Sequence, residues 1–312
     1  MNIYPWHQNI WNDIQAKKSK LAHAQIFFGP DEVAQSNFSK LLSQTLLCEA
    51  QGVEPCNQCE SCHWYSIESH PDFFVIEDDD AIISIDKIRE LKQFFELSSH
   101  HAGRPKIALI LKAQNLNHAS SNALLKILEE PPENAYIILT TNNISQILPT
   151  IRSRAAKVSL PEPSLEESKA FIKEQSLTIA EGDLEFFNFS ITRYLNDKDQ
   201  LDLVKEIILE LEKGKDLDFN SVSKRWLDFG LPWLVDLFQK WSYDLLLTKL
   251  AHQSFYFPNQ KIKMSSLVKT IHLQALLVLH KKLIEIKRFA SKPVNKELNM
   301  DLIVWEYKKL FN

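Results

Sequence analysis

The 312-residue sequence contains no stretch of about 18 or more apolar residues, so no part of it is expected to span a membrane. Its first residues, Met-Asn-Ile-Tyr-Pro-Trp-His, lack a basic segment followed by an apolar one. No secretory signal is visible, and a cytoplasmic location is expected. There is no excess of positive charge. The net charge of −4 argues against a protein held to nucleic acid mainly by its overall charge, while leaving a local patch open. No tandem repeat or low-complexity tract is present. Cysteine is scarce: the four residues all lie between positions 48 and 62, and in a reducing compartment such clustering favours metal over disulfides. What the chain does have is ordinary globular material. It is 45% hydrophobic, enough for real cores, and long enough for two or three domains.

Short apolar runs alternate with helical patterns over the first half. Gln25–Phe28, Phe73–Ile76, Ile107–Leu111 and Tyr136–Leu139 read as strands, each too short for a buried helix. Trp6–Lys18 reads as an opening amphipathic helix. A second runs from about Val33 to Cys48, burying Phe38, Leu41, Leu42, Thr45 and Leu46. A third spans Asp86–Ser99, with Asp86 as its cap. Leu124, Leu125, Ile127 and Leu128 give a further helix its apolar face, and Pro131-Pro132 stop it. Strand, helix, strand implies parallel pairing. The run Glu77-Asp-Asp-Asp80 reads as a solvated loop, as does His100-His101.

The four cysteines are spaced Cys48-x7-Cys56-x2-Cys59-x2-Cys62. Two thiolates separated by two residues in a tight turn can face one tetrahedral Zn2+, and Gly52 and Pro55 supply turn chemistry. Four unrelated core cysteines would not crowd into one segment. A thioredoxin-like pair would need a different β-context and would not overlap a second pair. A structural zinc site is expected, with His63 and His70 read as surface histidines. Strand, glycine turn and helix at Gln25–Cys48 is where a phosphate-cradling loop would sit. That loop requires Gly-x-x-x-x-Gly-Lys-Ser/Thr. The chain offers Gly29-Pro-Asp-Glu-Val-Ala-Gln-Ser36, with Ala34 for the second glycine, Gln35 for the lysine, and Asp31 and Glu32 adding negative charge.

Ser-Ser-Asn-Ala-Leu-Leu-Lys-Ile-Leu-Glu-Glu-Pro-Pro132 resembles the signature of clamp-loader subunits, AAA+ proteins that load sliding clamps in DNA replication. Ile151-Arg-Ser-Arg-Ala155 is similar to their Ser-Arg-Cys motif, with Ala155 in place of cysteine. The resemblance implies an α/β AAA+ core over 1–160, a P-loop-like parallel sheet with flanking helices and a zinc module inserted at 48–62. It implies that Gly29, Ala34, Gln35 and Ser36 are a degenerate P-loop. Active relatives end the strand at Ile107–Leu111 in an acidic pair that positions Mg2+; here Leu111 and Lys112 stand there. Neither bound nucleotide nor intrinsic ATPase is therefore expected. Thr141 falls where a polar residue senses the γ-phosphate. Arg154 falls where an arginine finger reaches a neighbour's phosphoryl transfer, with Arg152 the weaker candidate.

After Leu160, Pro161-Glu-Pro163 reads as a linker, and Ser164 with Glu167 as a capping box. Helical patterns and no strand follow: Lys169–Gln175, Leu184–Phe189, Thr192–Asn196, then 200–213, 221–251 broken at Gly230-Leu-Pro232, 263–289 and 297–311. Trp226, Trp233, Trp241 and Trp305 are spaced as core. Lys261, Lys263, Lys269, Lys281, Lys282, Lys287 and Arg288 read as a solvated face, with a DNA path as the alternative. The resemblance makes 161–198 a helical lid, with Arg193 near its nucleotide-touching arginine, and 199–312 an all-α collar for ring assembly.

The function so implied is a non-hydrolysing subunit of a DNA polymerase III clamp loader, accessory to a DNA-directed DNA polymerase (a nucleotidyltransferase holoenzyme). Its implied partners are gamma/tau and delta subunits and, through the complex, the sliding clamp and primed DNA. The alternatives are an active AAA+ ATPase, opposed by Gln35, Leu111 and Lys112, and a stand-alone zinc-module nucleic-acid binder, opposed by the acidic charge and long helical region.

Overall fold

The computed structural model describes every residue except 1–2, 78–81, 101–102, 181, 219–221, 223–224, 291–294 and 312. The chain divides into two compact units, Met1–Glu167 and Ser168–Asn312.

The first unit is a five-stranded parallel sheet between two layers of helices. Its strands are β1 (Ala24–Phe28), β2 (Phe73–Ile76), β3 (Lys106–Ile110), β4 (Ala135–Thr141) and β5 (Ala156–Ser159), in the order β2-β3-β4-β1-β5. The helices are α1 (Gln8–Ala16), α2 (Glu32–Leu47), α3 (Glu60–Ser66), α4 (Ile85–Glu96), α5 (His118–Glu129) and α6 (Pro149–Arg152). Both faces of β3 are covered, so it reads as an unbroken apolar run. Its side chains still alternate. Ala108 and Ile110 pack with Ile88 and Leu91 of α4 and Leu124 and Leu128 of α5. Ile107, Leu109 and Leu111 pack with Trp11 of α1 and Phe38 and Leu42 of α2.

Helix α5 begins because Asn117 accepts the Ser120 N–H at 2.8 Å, and it ends just before Pro131. Helix α4 corrects the expected cap. Ser84, not Asp86, is the N-cap; Asp86 lies in the first turn and pairs with Arg89 at 2.7 Å. Three elements were not expected: α3, α6 and β5. Strand β5 is an edge strand with only Val158 half-buried, so it lacks the apolar run that marks the other four. Of the acidic run, residues 78–80 lie outside the described residues, as does His101.

Helix α7 (Leu165–Glu174) opens with the expected capping box. The Ser164 N–H donates to Glu167 Oε2 at 2.8 Å, and the Glu167 N–H to Ser164 Oγ at 3.2 Å.

No strand occurs among the described residues of the second unit. Its helices include α8 (Asp183–Phe186), α9 (Ile191–Asp197), α10 (Leu201–Leu211), α11 (Leu231–Ala251), α12 (Lys261–Leu267), α13 (Leu273–Lys287) and α14 (Lys296–Lys309). The break at Gly230 is present: its φ of +84° suits glycine, and Pro232 fits the first turn of α11. The expected helix over 263–289 is two helices instead. Trp226 and Trp241 are fully buried, and Trp241 Nε1 donates to Tyr307 Oη at 3.2 Å. Trp305 is not core: it is 51% exposed, because α14 buries Met300, Ile303, Val304 and Tyr307 on the opposite face. Lys282 and Lys287 are drawn into ion pairs with Glu306 and Asp236, at 2.5 and 2.8 Å.

Candidate functional site

After β1 the chain crosses to β2 at the far edge of the sheet, returns through β3 and β4, and then places β5 on the other side of β1. In open parallel sheets, ligands bind outside the strands' carboxyl ends where the order reverses. The carboxyl end of β1 is such a place, and Gly29 follows it. A Cβ added there would lie 2.0 Å from the Leu160 carbonyl oxygen, so only glycine fits.

The turn beyond is closed by the chain's own side chains. Asp31 caps α2, its Oδ1 accepting from Val33 N at 3.0 Å and Ala34 N at 3.1 Å. Gln35 is buried and folds back, Nε2 donating to the Gly29 carbonyl at 2.5 Å. Glu32 reaches the ends of two other strands. Its Oε1 accepts from Asn142 Nδ2 at 2.5 Å and Gln114 Nε2 at 3.3 Å, and its Oε2 lies 4.0 Å from Lys112 Nζ. Lys112 has φ +52°, and its N–H donates to Thr140 Oγ1 at 3.1 Å; Leu111 is buried. A cavity of about 300 Å³ remains, lined by Glu32, Ser36, Glu77, Leu111, Lys112 and Thr140 among others. A helix N-terminus ordinarily offers free N–H groups to an anion. Here two of them are bonded to a carboxylate, with a second carboxylate beside them. Thr141 is buried with its hydroxyl accepting from Asn143 N, so Asn142 is the residue that faces the turn.

The four cysteines do converge. All are free thiols, and their sulfurs lie within 4.8 Å of one another, with Cys56 and Cys62 at 4.0 Å. Four sulfurs around one tetrahedral Zn2+ stand about 3.8 Å apart, so the set fits such an ion with small adjustment. Backbone N–H groups already point at the sulfurs. Cys56 N donates to Cys48 Sγ at 3.3 Å, and Cys59 N to Cys56 Sγ at 3.4 Å. The N–H groups of Gln58 and Cys59 pull the Cys56 thiol down to about 6, whereas burial pushes that of Cys62 up to about 12.

His63 is exposed as expected, but His70 is buried and belongs to the support of this segment. Its Nδ1 accepts from Asp72 N at 3.0 Å, so Nε2 carries the proton and donates to Ser61 Oγ at 2.8 Å. Ser61 in turn donates to the Leu47 carbonyl at 2.8 Å. This chain ties the end of α2 to the start of α3, fixing the two sides of the cysteine cluster.

Arg154 follows α6 and is exposed. Its Nη2 lies 2.7 Å from Glu129 Oε1, and Nη1 donates to the Thr150 carbonyl at 3.0 Å. Arg152 is half-buried, and its Nε has no hydrogen-bond partner. Arg193 lies in the other unit, half-buried in the first turn of α9.

Sequence reading missed Asp31 as a cap, the reach of Glu32 and Asn142, the role of His70 and the partner of Arg154. The position of Asp31 just before a helix was a usable capping signal. The other contacts join residues far apart in sequence and left no local trace.

The family described as DNA polymerase III, delta subunit matches residues 7–164, half of the chain. The delta-prime subunit of DNA polymerase III from Pseudomonas aeruginosa is 28% identical over 267 residues, 80% of this chain and 79% of that protein. That from Haemophilus influenzae is 32% identical over 177 residues, 56% of this chain and 54% of that protein. A DNA polymerase III gamma subunit-related protein from Thermotoga maritima shares the fold, with a TM-score of 0.53 at 20% identity over 97% of this chain and 99% of that one. The family match and the curated relatives define the class, that of DNA polymerase III subunits. Within it, the chain belongs to the DNA polymerase III delta-prime family.

Proposed function

We propose that the chain is a non-hydrolysing subunit of an AAA+ clamp loader, and that Arg154 is its arginine finger toward ATP held by an adjacent gamma/tau subunit. In this reading 1–160 is the AAA+ core, 161–198 the lid and 199–312 the collar that joins gamma/tau and delta in a ring. The complex works in the cytoplasm, opening the sliding clamp and placing it on primed DNA. Zn2+ is structural, held by Cys48, Cys56, Cys59 and Cys62. With four protein ligands such a site has no open position for substrate.

The observation that carries this reading is the closed glycine turn. Asp31 holds the N–H groups a phosphate would need, Gln35 holds Gly29, and Glu32 is bonded to Asn142 and Gln114 where metal and phosphate oxygens would otherwise be. Arg154 differs in being exposed, always charged and suited to phosphate oxygens.

Two measurements test the proposal. The purified chain alone should show no ATP turnover above background; turnover abolished by changing Gln35 or Ser36 would refute it. Mixed with gamma/tau and delta, it should form a stoichiometric complex. In that complex Arg154→Ala should lower clamp loading and ATP turnover at the adjoining site by at least about tenfold, with assembly intact. Unchanged loading would remove Arg154 from the mechanism.

A further inference from the structure

The guanidinium of Arg154 is held from two separate elements. Glu129, the last residue of α5, lies 2.7 Å from Nη2, and the Thr150 carbonyl of α6 accepts from Nη1 at 3.0 Å. Ser153 Oγ, itself donating to Thr150 O at 2.9 Å, is 3.4 Å from the same nitrogen. Glu129 lies at the carboxyl end of α5, where the peptide dipoles favour a cation. A free arginine side chain samples many rotamers. Two anchors on different elements restrict it to one direction while leaving the group exposed.

We infer that Glu129 is a positioning residue for Arg154: it holds the guanidinium pointed outward before a neighbour arrives. The inference rests on the finger reading above. Its physical content is preorganisation. A group already oriented gives up less freedom in the transition state, and small displacements of a positioned group lower rate more than binding. The pair is exposed on both sides, with side chains 37% and 44% accessible, so its contribution to folding is small. Loss of Glu129 should therefore be felt in turnover and not in stability.

The property Glu129 contributes is a fixed acceptor oxygen. Glutamine at 129 retains a carbonyl oxygen on the same stem, whereas alanine removes it. A purely electrostatic brake on Arg154 would give the opposite pattern, since either substitution would release the cation and raise turnover.

The test uses the reassembled complex with gamma/tau and delta, in the presence of clamp and primed DNA. Glu129→Ala should lower kcat for ATP about fivefold, the scale of one lost hydrogen bond, with the KM for ATP, complex assembly and thermal midpoint unchanged. Glu129→Gln should recover most of that loss. Arg154→Ala is measured alongside, and adding Glu129→Ala to it should cause no further loss, because the glutamate acts only through the arginine. If Arg154→Ala lowers turnover and Glu129→Ala leaves it unchanged or raises it, this inference falls and the finger reading stands. If Arg154→Ala is itself silent, both fall. A fall in complex assembly or in the thermal midpoint with Glu129→Ala would make the residue structural and also overturn the inference.

Discussion

The glycine turn and the cysteine segment both gather polar side chains in a small space, and they resolve the crowding in opposite ways. At the turn, most groups that might have met a ligand meet another part of the chain: Asp31 with two N–H groups, Gln35 Nε2 with Gly29, and Glu32 with Asn142 and Gln114, while Gln35 Oε1 and Gln114 Oε1 are buried without a partner. At the cysteine segment, four sulfurs face one another at distances too long for disulfides and suited to a shared cation. Buried or crowded polar groups must be satisfied somewhere. Where the chain supplies the partner, no outside ligand is needed. Where four sulfurs converge, a metal ion can be the shared partner.

The comparison is most strongly tested by metal. Structural zinc contributes roughly 10 kcal/mol or more of apparent folding energy in small modules. Metal analysis of protein purified without chelator should find one zinc per chain, and strong chelation or Cys62→Ser should lower the denaturation midpoint of the first unit steeply. Mg-ATP, by contrast, should leave that midpoint where it is, because a ligand shifts stability only by binding the folded state. Protein without zinc, or a midpoint raised by Mg-ATP, would reverse the contrast.

The next largest effect is expected at Gly29. Alanine there must displace the Leu160 backbone, since its Cβ would come within 2.0 Å of the carbonyl oxygen. A loss of about 3 kcal/mol in urea unfolding is expected, the upper range for overpacking. This loss arises without any nucleotide, because the close approach of β1 and β5 requires the glycine. Wild-type stability in the alanine variant would show that the turn has more room than its contacts indicate.

A smaller change, about 1 kcal/mol, is expected for Glu32→Ala, because the carboxylate is partly exposed and solvent screens it. The same variant should make the Asn142 amide more mobile in hydrogen exchange. No change in either would mean that the Glu32 contacts are incidental, leaving Asp31 and Gln35 alone to close the turn.

Much of this was legible in advance, for reasons that differ from element to element. Strands β1, β3 and β4 announce themselves because burial on both faces demands apolar runs, β2 is legible because its four residues are all apolar although it lies at an edge, and α2 buries the five residues its spacing marks. Gly230 and Pro232 mark the start of α11 through backbone rules that act locally. Strand β5 was hidden because its residues, Ala-Lys-Val-Ser, form no apolar run, and the break between α12 and α13 because no glycine or proline marks it. Of the candidate site, the residue types at the turn were readable, and so was the cysteine spacing. The closure was not. Glu32 meets Gln114 and Asn142 across 82 and 110 positions, and Arg154 meets Glu129 only once α5 and α6 are packed.

The smallest expected effect concerns a histidine on the closed side of the comparison. His7 is buried against Trp6 and Phe38, its Nε2 2.9 Å from the Pro161 carbonyl, so the neutral ring holds its proton on Nε2. Burial pushes its pKa below the ordinary value, opposed by the Pro161 carbonyl and by the charges of Asp31 and Glu167. In the unfolded chain His7 takes up a proton near roughly pH 6.5. The folded chain resists until the pH is lower. Within that window the unfolded state binds more protons, so stability rises with pH: the contribution is complete above the ordinary value and lost as pH falls through the depressed one. His7→Phe keeps an aromatic ring and removes the titration. It should cost a constant amount at every pH, from the lost bond to Pro161, while flattening the fall in urea midpoint just below roughly pH 6.5. His280, also depressed by burial, lies in the second unit and is common to both proteins, so its contribution cancels in the difference. Identical slopes in the two proteins would mean that His7 gains its proton without leaving its place, and that this corner of the closed region is open to water.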